Sequence, residues 1–138
     1  MNKEIKKKLE EIYSKIPSFD CKHCNECCGP VLWFEPEEIL IKEYMQKNNL
    51  KKIVWTKEEF EKNDNICPYI KNNRCIIYPV RPIVCRLQGV VVDLKCKKVK
   101  NQKNIPNEEL KDILEEFKKL ILDTGKIDVF YCTRKLSL

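Results

Sequence analysis

Eight cysteines stand at Cys21, Cys24, Cys27, Cys28, Cys67, Cys75, Cys85 and Cys96, the first four inside the run CKHCNECC. Two-residue gaps let a tight turn aim successive thiolates at one centre, which is why this spacing recurs in zinc and iron–sulfur ligation. Cys27 and Cys28 are adjacent, and consecutive side chains diverge. A single metal at good angles accepts one sulfur of such a pair. The two are therefore expected to ligate different metals or different atoms of one cluster, or to divide into one ligand and one thiol left for exchange or packing. A small buried hydrophobe is the plainer role for the second.

Iron and zinc both suit these spacings. Cys21, Cys24 and Cys27 reproduce the first three positions of the C-x2-C-x2-C-x3-C-P cluster run, but Cys28 follows at once and the nearest Cys-Pro is Cys67-Pro68. If Cys67 completes the set, four thiolates hold an iron–sulfur cluster. Eight thiolates equally make two four-cysteine zinc sites, each contributing roughly 10 kcal/mol or more of folding energy. The run and the Cys-Pro tilt the expectation toward iron and sulfur, by a narrow margin.

Other reactive side chains are few. His23, the only histidine, lies inside the run and reads as an exposed residue of a metal-loop knuckle rather than a ligand. Arg81 and Arg86, within RPIVCR, either neutralise the negative charge that thiolates leave on a metal or cap a turn. Cys132, far downstream, reads as a core thiol. Trp33, Phe34 and Trp55 read as packing residues, since aromatic rings bury large areas and no polar pattern repeats beside them. No Gly-rich phosphate loop, Ser-His-Asp set or HExxH run is present, and three glycines exclude a dinucleotide fingerprint. Catalytic residues are not assignable.

The elements that must position the thiols follow from periodicity. Ile5, Leu9, Ile12 and Ile16 share one stripe of a helix from Asn2 to Ile16, which Pro17 ends. In EPEEILIKEYM, Pro36 suits a first helical position and Glu37 and Glu38 suit the positive first turn, giving a second helix to about Gln46. Thr56 and Glu59 have the form of a capping box for a short third helix over TKEEFEK. CPYI and RCIIY flank KNN as a hairpin that brings Cys67 and Cys75 together. GVVVDLKC reads as a further strand, after Pro79 and Pro82 have broken any extension of the hairpin. PNEELKDILEEFKKLILDTG reads as a helix burying Leu110, Ile113, Leu114, Phe117 and Ile121, with Gly125 as its C-cap, and IDVFYC as a closing strand.

These elements predict a small α+β fold: one domain over residues 1–138, with helices packed around an irregular cysteine-rich centre and a short β-hairpin. At 138 residues such a globule buries enough surface to fold without disulfides. The N-terminus lacks the apolar core of a secretion signal and the longest apolar runs are too short to span a bilayer, so a cytoplasmic location and no membrane partner are expected. In a reducing cytosol, nine cysteines point to metal or redox chemistry rather than disulfides. The net charge of +6 is spread among mixed helix faces, which does not indicate nucleic acid; a protein partner is compatible with it.

CKHCNECC, ICPYI and RCIIYPVRPIVCR, in that order, resemble the CxxCxxCC cysteine-cluster family, a zinc- or iron-chelating domain to which flagellin lysine N-methylases also belong. The match runs from Cys21 to about Cys96. The resemblance implies a metal site built from the eight cysteines named first. It also implies an enzyme alternative, a lysine N-methyltransferase-like or redox protein, with S-adenosylmethionine as methyl donor in the longer N-methylases. Pro79 departs from the IYxxRP motif, where an acidic or small residue is more usual, and so short a chain has no evident separate methyl-donor region. A third reading is a zinc-stabilised interaction module.

Overall fold

Three long helices carry the apolar stripes that the chain must bury, and they bury them largely against one another. The computed structural model describes residues 2–17, 31–91, 104–131 and 134–136. Among these, the order is α1 (Asn2–Ser14), β1 (Leu32–Phe34), α2 (Glu35–Lys47), α3 (Lys57–Lys62), β2 (Ile70–Lys71) and β3 (Arg74–Cys75). A 3-10 turn (Tyr78–Val80), α4 (Ile83–Leu87), α5 (Asn107–Asp123), β4 (Val129–Tyr131) and β5 (Arg134–Leu136) follow. The α+β class expected from the sequence is therefore present. No helix among the described residues is long and apolar enough to cross a membrane.

The α1 stripe forms as its periodicity requires: Ile5, Leu9, Ile12 and Tyr13 are buried, Leu9 completely. The last turn tightens through bonds from the Lys15 and Ile16 amides to the Ile12 and Tyr13 carbonyls, and Ile16 still reaches the core. Just past α2, Asn49 takes a φ of 54°, which lets the Leu50 amide turn back to the Met45 carbonyl at 2.8 Å. Asparagine tolerates this left-handed position better than most residues. Thr56 caps α3 as expected, accepting from the Glu59 amide at 3.2 Å while Glu59 accepts from the Thr56 amide at 3.3 Å.

Gly125, with φ of 70°, follows the end of α5, and the Thr124 hydroxyl donates to the Ile121 carbonyl at 2.6 Å. The buried face of α5 is Ile113, Phe117 and Leu120, with Leu110 and Ile121 at its margins. Leu114 departs from expectation, being 42% exposed. It lies one residue past Ile113, a rotation of about 100° that carries it off the stripe. Leu120 takes the core place instead.

β1, β4 and β5 form an antiparallel sheet in the order β1-β4-β5, with Trp33 opposite Phe130. Trp33 is fully buried, and Phe34 meets Phe117 edge-on at 5.9 Å between ring centres. β4 is the closing strand read from IDVFYC. Gly89–Val91 corrects the strand expected over GVVVDLKC. These residues turn after α4, with Gly89 at φ 88° and the Val90 amide bonded to the Leu87 carbonyl. The remainder of that expected strand, residues 92–96, lies outside the described residues.

Leu9 and Leu114 make a matched pair for testing this packing. Leu9→Ala is expected to lower unfolding free energy by about 3 kcal/mol, within the range for a buried leucine. Leu114→Ala should change it by no more than about 0.5 kcal/mol. Urea denaturation with unchanged slope measures both.

Candidate metal centre

The Lys71-Asn72-Asn73-Arg74 turn fixes the first thiols. Asn72 and Asn73 both take positive φ, 52° and 64°, the two-residue geometry that matches the twist of a hairpin. It sets Cys75 opposite Ile70. The Ile70 amide in turn donates to the Cys67 carbonyl at 3.0 Å, folding CPYI into a turn. This unit is pinned from inside by Tyr69, fully buried, whose hydroxyl accepts from the Ile53 amide at 3.2 Å. The expected hairpin is present, shorter than CPYI and RCIIY allowed, because Pro68 and the turn at Cys67 take no part in the ladder.

Cys67 and Cys75 are half-buried and pack against the core. Burial pushes the Cys75 thiol above its usual range, opposed by the Ile77 backbone bond and the Arg81 charge. A metal must displace the proton of such a thiol to be held by it.

Cys85 rides on α4, which closes the turn YPVRP. Its amide and that of Arg86 both donate to the Pro82 carbonyl, at 3.0 and 3.2 Å. Arg81 lies over the Tyr78 ring at 3.7 Å and donates to the Tyr78 carbonyl at 3.2 Å. Arg86 lies over the Tyr13 ring at 3.8 Å and donates to the carbonyls of Arg81 at 2.8 Å and Pro79 at 3.0 Å. Of the two uses weighed for these arginines, capping the turn is the one seen in their hydrogen bonds.

Behind α4 stands Glu37, fully buried. Its Oε2 accepts from the Tyr13 hydroxyl and from the Ile83 amide, each at 2.5 Å, and its Oε1 accepts from the Phe34 amide at 3.3 Å. Burial pushes the carboxyl up to about 7, against the pull of these donors and of Arg86. Burial and the neighbouring Glu37 charge drive the Tyr13 phenol far above its usual range, so it remains a donor. Burial lowers Arg86, opposed by Tyr13 and Glu37. Glu38 is buried as well, accepting from Trp33 Nε1 at 2.7 Å and Lys52 Nζ at 2.6 Å.

Both glutamates stand in the first turn of α2 as expected from EPEE, and both are buried there. Glu37 stands three residues after Phe34, the spacing of the glutamate in a capping box. That signal was readable, but Phe34 offers no hydroxyl to complete the box.

Of the eight expected ligands, Cys67, Cys75 and Cys85 are placed by the described residues, and none of the three is in a disulfide. Cys21, Cys24, Cys27, Cys28 and Cys96 lie outside them, as do His23 and Cys132. Among the described residues no three Cys, His, Asp or Glu side chains gather into a metal-holding group. The donors present are thiols, which zinc and iron–sulfur clusters take in preference to harder oxygen ligands. They fit such a group in chemistry and require further ligands in number.

A family model described as "CxxCxxCC: Putative zinc- or iron-chelating domain" matches residues 20–116. No curated protein and no solved structure matches the chain.

Glu37 gives the site a pH signature. With its carboxyl raised from 4.5 to about 7, the folded chain keeps a proton that the unfolded chain has released between those values. Its contribution is fully present below about pH 4.5 and is lost as pH rises through about 7, by ~3 kcal/mol in all. Thermal melts of metal-depleted protein from pH 4.5 to 8 should show this decline. Glu37→Gln, neutral throughout, should flatten it.

Proposed function

The chain belongs to the CxxCxxCC family, and from that premise we propose that it is a cytosolic, single-domain metal-binding protein whose thiolates hold an iron–sulfur cluster. The ligands in this reading are drawn from Cys21, Cys24, Cys27, Cys28, Cys67, Cys75, Cys85 and Cys96. One observation carries it. Cys67, Cys75 and Cys85 are half-buried, outside any disulfide, and seated on turns anchored by the buried Tyr69 and Glu37. Thiols kept for redox exchange need exposure and a lowered pKa, whereas the Cys75 thiol is raised. Thiols on rigid supports suit ligation.

Bound, an iron–sulfur cluster supplies one-electron transfer or a fixed crosslink between chain segments. The chain's own residues set the conditions. The hairpin holds Cys75 in register with Ile70, the turn at Pro68 presents Cys67, and Arg81 and Arg86 lock the carbonyls of the turn before Cys85. Zinc in the same thiolates is the second reading, since the family description covers both metals. Methyl transfer with S-adenosylmethionine has no specific observation among the described residues in its favour.

Anaerobic purification followed by elemental and sulfide analysis tests the proposal. Brown protein with stoichiometric iron and acid-labile sulfide is expected. Colourless protein with stoichiometric zinc transfers the reading to zinc, and folded, metal-free monomer with all nine thiols titratable sinks metal binding altogether. Cys24→Ser and Cys67→Ser should lose metal and some stability, because binding energy is here also folding energy, while Cys132→Ser should lose neither.

The adjacent pair supplies a sharper test. With a single cluster, Cys27→Ser should abolish the metal and Cys28→Ser should spare the spectrum, since Cys27 completes the CxxCxxC geometry. With two centres, each substitution should remove about half the metal, one four-ligand shell apiece. Metal counts on both single variants and on the double variant separate these cases.

A further inference from the structure

α4 begins with a problem that its own sequence cannot solve. Its N-cap is Pro82, which carries no side-chain acceptor, and no local side chain caps the helix. The Ile83 amide is nonetheless satisfied, by the Glu37 carboxylate from 46 positions away. A buried amide left without a partner costs about 1–3 kcal/mol, so this bond decides whether α4 can sit where it does.

The same carboxylate accepts from the Phe34 amide, at the junction of β1 and α2. β1 follows closely after the CKHCNECC run in sequence, and α4 carries Cys85 two residues past Ile83. β1 and α4 are also neighbours in the fold. One side chain therefore ties the strand that leads away from the first four candidate ligands to the helix that carries a later one. The Tyr13 hydroxyl fixes that carboxylate from α1, and Arg86 covers the Tyr13 ring.

We propose that Glu37 is a positioning residue for Cys85 as a metal ligand, holding α4 against the β1–α2 junction by bonding at once the Ile83 and Phe34 amides. The inference rests on the chelation reading above and adds to it a group outside the ligand set. Groups that orient ligands without touching the metal commonly govern affinity by 10- to 100-fold. Glu38 is the natural control. It is the adjacent residue and likewise buried, but its partners are Trp33 and Lys52, neither of them on α4.

The test uses the full chain, depleted of metal anaerobically and titrated with zinc ions against a competing chelator. Alongside it, hydrogen exchange follows the amides of residues 83–87. Glu37→Leu should weaken zinc binding on the order of 10-fold or more and strip exchange protection from residues 83–87. Glu37→Gln, which retains one carbonyl acceptor, should do both to a smaller extent. Glu38→Gln should leave zinc affinity and α4 protection as in the wild type, even if its melting temperature falls equally.

Should Glu37→Leu fail to fold, the comparison of Glu37→Gln with Glu38→Gln decides. Equal zinc affinity in those two variants overturns the assignment of Glu37. Wild-type protein that takes up neither zinc nor, on anaerobic reconstitution, iron and sulfide brings down the chelation reading and the assignment with it; where only iron and sulfide are taken up, the same variants are compared by iron content. A zinc-binding wild type with an unimpaired Glu37 variant brings down the assignment alone.

Discussion

The contact on which most of the arrangement turns is a carboxylate with no access to water. Glu37 meets a phenol from α1, the first amide of α4 and the amide at the mouth of α2. A buried charge is costly unless it is richly hydrogen-bonded, and one with fewer donors would be replaced to advantage by an apolar side chain. Here the donors come from three separate segments of the chain. The carboxylate is satisfied only when those segments are assembled, so its hydrogen bonding and their mutual placement depend on each other. Its raised pKa marks the residual cost: burial outweighs the donors.

Around that contact the candidate ligands are held by backbone turns. Cys67 and Cys75 depend on a hairpin of two residues per strand, Cys85 on a helix of five residues. None of these elements is stable alone, since short helices and two-stranded hairpins are marginal in water. Each borrows rigidity from a buried anchor. Tyr69 serves the hairpin by accepting from the Ile53 amide, and Glu37 serves α4 through Ile83. The two arginines complete the seat by engaging carbonyls of the turn.

What was legible in the sequence followed local rules. The Ile5-Leu9-Ile12 stripe, the Thr56 cap, the KNN hairpin and Gly125 each rest on a few neighbouring residues, and each is found. The α5 face was read one position off at Leu114 because two apolar residues in succession, Ile113 and Leu114, can face more than one way. β1 and β5 escaped notice because strands of three residues carry almost no period, and the pairing of β1 with β4 is decided across much of the chain. α4 was hidden directly behind Pro79 and Pro82, and its start depends on a residue 46 positions earlier. The candidate thiols were legible from spacing; the first-turn place of Glu37 was legible too, but not its burial behind α4, which Tyr13 and Ile83 set from distant segments.

The division of labour between core and centre bears on what a metal does in this chain. Small zinc modules fold because the metal binds, having little apolar surface to bury. Here Leu9, Trp33, Ile41, Met45, Phe117 and Phe130 join one cluster drawn from α1, α2, α5 and the β1-β4 pair. None of those residues is a candidate ligand, although Cys67 and Cys75 pack against the cluster. Binding energy at the thiols is thus not the chief term that draws those helices together, a role that falls to apolar burial. It is available instead for fixing Cys67, Cys75 and Cys85 against the helical body, and for retaining a centre whose own chemistry the chain then tunes through Glu37 and the turn before Cys85.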